Sequence, residues 1–600
     1  MVIAARDVMF SRGPDAGGMV EFSDGSGGMC FLAHRRLSIQ DLSGNGAQPM
    51  ATPDGRYVIV YNGEVYNARP LREELKQAGL KFRSTSDTEV ILKGYALWGE
   101  ALIERLVGIF AFAIWDCFEH RLFLARDRVG IKPLYYAANE HFFAFASDLR
   151  ALRHLGLGTA IDAEALSLYL MLGYVPAPRS IWSGIQKVEA GAFMSWTKGG
   201  LPSQRQYWNA PDDTDYEGRP EAIEALIDAV VEEQMLSDVP VGLFLSGGLD
   251  SSIVASSVAR LGAVKDDVVA MTVGFPGNNQ NDEAPIAERT AKALGLNLRR
   301  LEMSEDIGAY AEAAVAAMDE PLAYNAIVTQ AGISQLASKS GLKVVLTGDG
   351  GDEVFGGYTW HNPQRQEQPE ARRFRIGSIL SLKEWKRRSS ANKTSAFRSK
   401  SPYFDYAYRV FPALRPDEVA DILPDTRLAH VEELLRSVLA RYDAPRLPDK
   451  RRLQRIDLFT FCQDSVLAKV DRNGMAFSVE ARPPLLDHRI IEWGLSRPVT
   501  DYDDSFPKNA IRQILKKRGL EFLLSEPKRG FSLKNRGGIG QDRRAIVKSR
   551  AAELGFKNGW EKKIHKRTDS YRTKMEALYW LSRWHEAHGN NQTGKVAAWK

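Results

Sequence analysis

The sequence predicts an α/β protein in two unlike parts: an α+β layered domain over residues 1–198, and a doubly wound α/β domain over 221–600 with a helical carboxy-terminal part. Three observations predict this. Short apolar runs broken by turn residues fill the first third, and apolar runs alternate with helical patterns beyond it. Between them lies a polar stretch, TKGGLPSQRQYWNAPDDTDYEGRP, of which residues 199–220 read as a linker. At 600 residues the chain is too long for one ordinary core.

In the first part, RYVIVYNGEVYN (56–67), LVGIFAFAIWD (106–116), RLFLARDRVG (121–130) and HFFAFASD (141–148) read as strands, and ARPLREELKQAG (68–79) as a helix. After the linker, Ile223, Leu226, Ile227, Val230, Val231 and Met235 recur at helical spacing. VPVGLFL, DVVAMTVGF, LRRLEM and LKVVLTG then alternate with SIVASSVARLG, APIAERTAKALG and IVTQAGISQLASKSG, the pattern of strands and helices in a parallel sheet. Ligands of such sheets lie beyond the carboxyl ends of the strands.

Composition narrows the class. With 44% hydrophobic and 26% charged residues the chain reads as a soluble globular protein, and a net charge of +5 argues against a nucleic-acid-coating surface. Three cysteines, Cys30, Cys117 and Cys462, fit neither a disulfide framework nor a zinc site, so a reducing, cytoplasmic setting is expected. The run LVGIFAFAIW is half the ~20 residues needed to span a bilayer, so no membrane partner is expected. The basic stretches 371–400 and 527–574 read as solvated faces.

Two loops carry the chemistry. In LFLSGGLDSS (243–252) the strand ends at Leu245, Gly247 and Gly248 free the backbone N–H groups, and a helix opens near Ser252. An anion is the expected guest, with Ser246, Ser251 and Ser252 donating to phosphate oxygens. Asp250 would repel a polyphosphate unless a divalent cation lay between them, so it is assigned to Mg2+. The loop lacks the Gly-Lys-Ser/Thr of a Walker A and resembles that of ATP pyrophosphatases, which cleave ATP between its α and β phosphates. In VVLTGDGGDEVFGGY (344–358), Asp352 is the second candidate Mg2+ ligand, and Thr347, Gly348 and Asp349 face an adenylated intermediate.

With SDVPVGLFLSGGLDSS, TGDGGDEVFGGY, KVDRNGMAFSVEARPPLLDHRIIEW and PKRGFSL in order, preceded by GYVPAPRSIWSGIQKVEAG, the chain resembles the glutamine-dependent asparagine synthetase family over nearly its whole length. The resemblance implies an amino-terminal glutamine amidotransferase domain of the N-terminal-nucleophile type ahead of an ATP pyrophosphatase domain. It implies a carboxylate, aspartate by default, adenylated by ATP and captured by ammonia to give an amide, AMP and pyrophosphate. Leu245 and Val273 match positions beside the adenosine, and Lys528 matches a lysine that stabilises charge on the reacting phosphate, with Asp349 as its catalytic companion. Relatives that amidate sugar acids or close a β-lactam ring share the scaffold, and a fold-retaining interaction protein is the alternative from another class. Asp471, Arg472, Glu480, Arg482 and Asp487 read as a supporting ion network on a helix and the turn after it. A homodimer is compatible with the family.

The family's first domain hydrolyses glutamine. Arg36 matches its α-carboxylate holder, Asp87 its α-ammonium partner, Asn62 and the Gly63 N–H its oxyanion donors, and Glu64 lies beside the substrate; SRGPDAGG fits the turn before them. The family nucleophile is an amino-terminal cysteine, whereas residue 2 here is Val2, and the strand that would carry the cysteine has no counterpart. Either the true start lies upstream or the chain uses free ammonia; these 600 residues alone are expected not to hydrolyse glutamine. Cys30 reads as a small buried hydrophobe.

Overall fold

The computed structural model describes residues 1–23, 27–214, 223–262, 267–275, 282–303, 308–361, 414–499, 507–527, 541–564 and 571–589. The basic stretch 371–400 and Lys528 lie outside them.

Six antiparallel strands form the main sheet of the amino-terminal domain, in spatial order Ser203–Gln206, Ala192–Thr197, Arg121–Arg126, Gly108–Asp116, Tyr57–Val65 and Met50–Ala51. Successive residues of Tyr57–Val65 serve opposite faces, as the period of a strand requires. Ile59 and Tyr61 share a core with Leu71, Leu75, Val90 and Ile91 of the helices Ala68–Gln77 and Asp87–Trp98. Val58 and Val60 pack with Trp115, Leu124 and Met194, and this second face is covered by Phe22 and Leu32 of the hairpin Ala16–Ser23/Met29–Arg36. Burial on both faces explains why these strands read as near-continuous apolar runs. The sheet also reaches into the stretch expected to be linker, because Ser203–Gln206 pairs with Ala192–Thr197.

The carboxy-terminal sheet is wholly parallel, ordered Asn297–Glu302, Val269–Gly274, Val241–Phe244, Val344–Leu346 and Glu480–Arg482. The chain starts in the middle, winds out to one side, then returns past its start to build the other. The direction reverses between Val241–Phe244 and Val344–Leu346, which makes the crevice beyond their carboxyl ends the binding position of the fold.

Glu480–Arg482 corrects the expectation of a helix and a turn. Only Asp471 and Arg472 lie on a helix, Ala468–Ala476, while Glu480 and Arg482 form the edge strand and Asp487 caps the helix His488–Ser496. A strand reading Glu-Ala-Arg can be buried because its two charges pair with each other at 2.9 Å and the other domain supplies a partner for each. Lys132 meets Glu480 at 2.8 Å and Glu64 meets Arg482 at 3.1 Å. Arg12 likewise reaches Asp471 at 2.9 Å, and Lys187 reaches Asp464 at 3.0 Å. One apolar core runs from Ile39, Tyr66 and Ile109 to Val231, Leu243 and Val345, so the two domains pack as one body.

Lys187 also lies 2.8 Å from Glu320. Burial outweighs that lysine and, with Asp319 adding repulsion, pushes the Glu320 carboxyl up to about 7 from 4.5. The folded protein therefore keeps a proton that the unfolded chain has already lost, and stability falls as pH rises from about 4.5 through about 7. Glu320→Gln is expected to flatten this stretch of the curve, where the wild type loses up to about 1.4 kcal/mol per pH unit. Urea unfolding at pH 5, 6 and 7 measures it; an unchanged slope in the variant would count against the assignment.

Candidate active sites

The first glycine loop leaves the strand Val241–Phe244 and enters the helix Leu249–Ala259, with Gly248 as its N-cap. Ser246 N–H donates to Ser251 Oγ at 3.1 Å, the two hydroxyls lie 2.9 Å apart, and Gly248 N–H donates to Ser246 Oγ at 3.1 Å. Ser252 is fully buried and its hydroxyl donates to the Gly248 carbonyl at 2.7 Å, so it braces the loop. Leu245 and Val273 are both buried beneath it, and the Leu245 N–H donates to the Met271 carbonyl on Val273's strand.

The second loop follows Val344–Leu346 and enters the short helix Gly351–Phe355. Close approach dictates its glycines. A Cβ on Gly348 would lie 2.5 Å from the Ser251 nitrogen and 2.7 Å from the Asp250 carbonyl carbon, and one on Gly351 would lie 2.3 Å from Asp250 Oδ1. The Thr347 hydroxyl is buried and finds no hydrogen-bond partner among the described residues. Asp349 is half-buried beside them. Glu353 accepts from the Tyr358 hydroxyl at 3.0 Å, and its carboxyl is pushed up to about 8, chiefly by burial and then by Asp352 and Asp457.

Asp250 and Asp352 converge on one point, and Lys508 occupies it. Its Nζ lies 2.7 Å from Asp352 Oδ1 and in a shorter contact with Asp250 Oδ2. Burial opposes the ammonium charge, yet the two carboxylates outweigh it and raise the Lys508 pKa above its ordinary value. A point within reach of two carboxylates fits Mg2+, which is held by one or two carboxylates and completed by phosphate oxygens. Among the described residues no three or more His, Cys, Asp or Glu side chains form a cluster able to hold a metal by themselves. One local signal could have marked Lys508: in SFPKNAIRQIL it opens a helix, where the dipole disfavours a cation.

Arg36, Asn62, Gly63, Glu64 and Asp87 all line one polar pocket of about 60 Å³, joined by Met475 and Glu480 from the second domain. Arg36 donates to the carbonyls of Ser43 at 2.9 Å and Gln40 at 3.1 Å, and to that of Asp41. Asp87 accepts from the Tyr61 hydroxyl at 2.7 Å and the Val65 N–H at 2.9 Å, although burial raises its carboxyl above the ordinary value. Asn62 Nδ2 is a buried donor with no partner among the described residues. Gly63 has φ +146°, and a Cβ there would lie 2.0 Å from the Ile109 carbonyl oxygen. Glu64 is tied to Gln40 and Arg482, and burial pushes its carboxyl well up.

Among the described residues lining this pocket there is no cysteine. Cys30 lines a neighbouring cavity, and burial pushes its thiol up to about 12, which suits a packing role. Arg12, in SRGPDAGG, spends its charge on Asp471, and Arg482 reaches Glu64 of the pocket lining from a strand more than 400 residues away; pairings of that range leave no local trace.

The description "Glutamine amidotransferase domain" matches residues 1–208, past the strand Ser203–Gln206, and "Asparagine synthase" matches 222–593. The chain is 32% identical over 556 residues to the putative glutamine-hydrolyzing asparagine synthetase of Mycobacterium tuberculosis, covering 88% of this chain and 83% of that one. It is 31% identical over 525 residues to glutamine-hydrolyzing asparagine synthetase 1 of Bacillus subtilis, covering 86% and 80%. Amidase chyE of Penicillium rubens is 31% identical over 385 residues, covering 61% and 56%. No helix among the described residues is long and apolar enough to cross a membrane.

Proposed function

Because the chain belongs to the asparagine synthase family and carries a glutamine amidotransferase domain ahead of it, we propose that it converts aspartate to asparagine with ATP, taking the nitrogen from glutamine or directly from ammonia. The observation that carries this reading is the meeting of two glycine loops at the sheet's switch point, with Asp250 and Asp352 on one focus.

The side-chain carboxylate of aspartate attacks the α-phosphorus of ATP, pyrophosphate leaves, and an acyl-adenylate forms; ammonia then attacks the acyl carbon and AMP departs. Loop N–H groups with Ser246 and Ser251 hold the departing pyrophosphate, and Ser252 keeps the loop in shape. Leu245 and Val273 lie against the adenosine, while Thr347, Gly348 and Asp349 face the adenylate. Asp250 and Asp352 would hold Mg2+, which when bound neutralises phosphate charge. Lys528 acts on the charge that develops at the reacting phosphorus. In the first domain Arg36 takes the α-carboxylate of glutamine and Asp87 its α-ammonium, with Asn62 and Gly63 donating to the oxyanion and Glu64 alongside. The cytoplasm supplies all of these substrates.

Pyrophosphate release from ATP with ammonium chloride tests the reading: it is expected to require aspartate, and a rate indifferent to aspartate contradicts it. Arg36→Ala removes the cationic partner of the carboxylate and is expected to weaken glutamine binding roughly 10- to 100-fold. Titration calorimetry with glutamine measures this, and an unchanged affinity removes Arg36 from the pocket's role.

A further inference from the structure

Lys508 enters the phosphate site from a helix, Asn509–Lys517, that belongs to neither glycine loop. Two close-approach glycines make room for its ammonium between the carboxylates, against an unfavourable backbone and helix position. A Cβ on Gly357 would lie 2.1 Å from Lys508 Cε and 1.9 Å from Asp352 Oδ1, so that glycine opens the slot the lysine fills. Gly351 does the same for Asp250, at 2.3 Å from Oδ1. Lys508 itself is buried in a left-handed backbone conformation, φ +57° and ψ 35°, at a helix N-terminus where a cation is disfavoured. The two carboxylates compensate for all of this with charge-assisted contacts.

A divalent ion that bridges the two carboxylates has to displace the ammonium that fills the point between them, and Mg2+ sheds water reluctantly. A metal carried on a diphosphate brings its own oxygen ligands, and its phosphates offer the displaced ammonium a new anionic partner. We propose that Lys508 is a surrogate cation: it closes the Asp250–Asp352 pair to free divalent metal and yields it only to a metal arriving on ATP or pyrophosphate. This rests on the phosphate-site reading above.

Binding of Mn2+ alone, followed by loss of the free-ion electron paramagnetic resonance signal, tests it without turnover. Lys508→Met is expected to bind Mn2+ at least tenfold more tightly than the wild type, and Lys508→Met/Asp250→Asn to lose the gain. Mn2+ is also expected to raise the melting temperature of Lys508→Met and to leave that of the wild type unchanged. Lys508→Gln, which keeps a donor in the slot, is the second variant should the first not fold. A folded Lys508→Met or Lys508→Gln with wild-type Mn2+ affinity overturns the inference while the phosphate site stands, provided the wild type takes up Mn2+ with inorganic pyrophosphate. No uptake even with pyrophosphate overturns both.

Discussion

Asp250→Asn is expected to lower aspartate-dependent pyrophosphate release by roughly a hundred- to a thousandfold, the scale lost when one electrostatic contact to a transition state is removed. The replacement has nearly the same shape, so the slot beside Gly351, where a Cβ would come within 2.3 Å of Oδ1, stays filled. What disappears is one of the two negative charges that meet at Lys508, and with it half of the proposed metal focus. In the proposed reaction the polyphosphate then meets the loop with less cation beside it. Steady-state release with ATP, aspartate and ammonium chloride measures the change, and a thermal melt checks the fold. A variant that keeps about half of the wild-type rate would remove Asp250 from the reaction.

Gly348→Ala is expected to be the most damaging single methyl group in the site. Its Cβ would sit 2.5 Å from a backbone nitrogen and 2.7 Å from a backbone carbonyl carbon, and neither can swing aside as a side-chain tip can. The two loops must part, which costs about 1–3 kcal/mol in overpacking and pulls Ser246 and Ser251 away from Asp352. Gly248→Ala is the contrast, since its Cβ would meet only the Ser246 hydroxyl at 3.2 Å. Chemical unfolding of both variants is expected to show a loss of stability in Gly348→Ala several times that in Gly248→Ala. Equal losses would mean that the loops do not lean on each other at Gly348.

Much of this was legible in local sequence. Leu245 through Ser252 and Thr347 through Asp352 stand out because glycines, acids and hydroxyls follow apolar strands, and their meeting follows from the order of a doubly wound sheet. The pocket formed by Arg36, Asn62, Gly63, Glu64 and Asp87 was legible through the family resemblance, since each fragment alone is an ordinary turn or helix start. The pairing of Lys508 was not: its place at a helix start is only a local oddity, and its partners lie 258 and 156 residues away, where only the fold brings them to it. The strand Glu480–Arg482 escaped for the same reason: its charged alternate residues are buried by pairing with each other and with Lys132 and Glu64 from the other domain. Ser203–Gln206 escaped through its polarity, which an exposed edge strand tolerates and a polar linker imitates.

The central claim is that ATP is opened at its α-phosphorus by the carboxylate that becomes the amide. Aspartate labelled with ¹⁸O in its side-chain carboxylate, incubated with ATP, Mg2+ and ammonium chloride, tests this most directly. One labelled oxygen is expected in AMP for each asparagine formed, with none in pyrophosphate. Label in inorganic phosphate, or asparagine formed without labelled AMP, contradicts it.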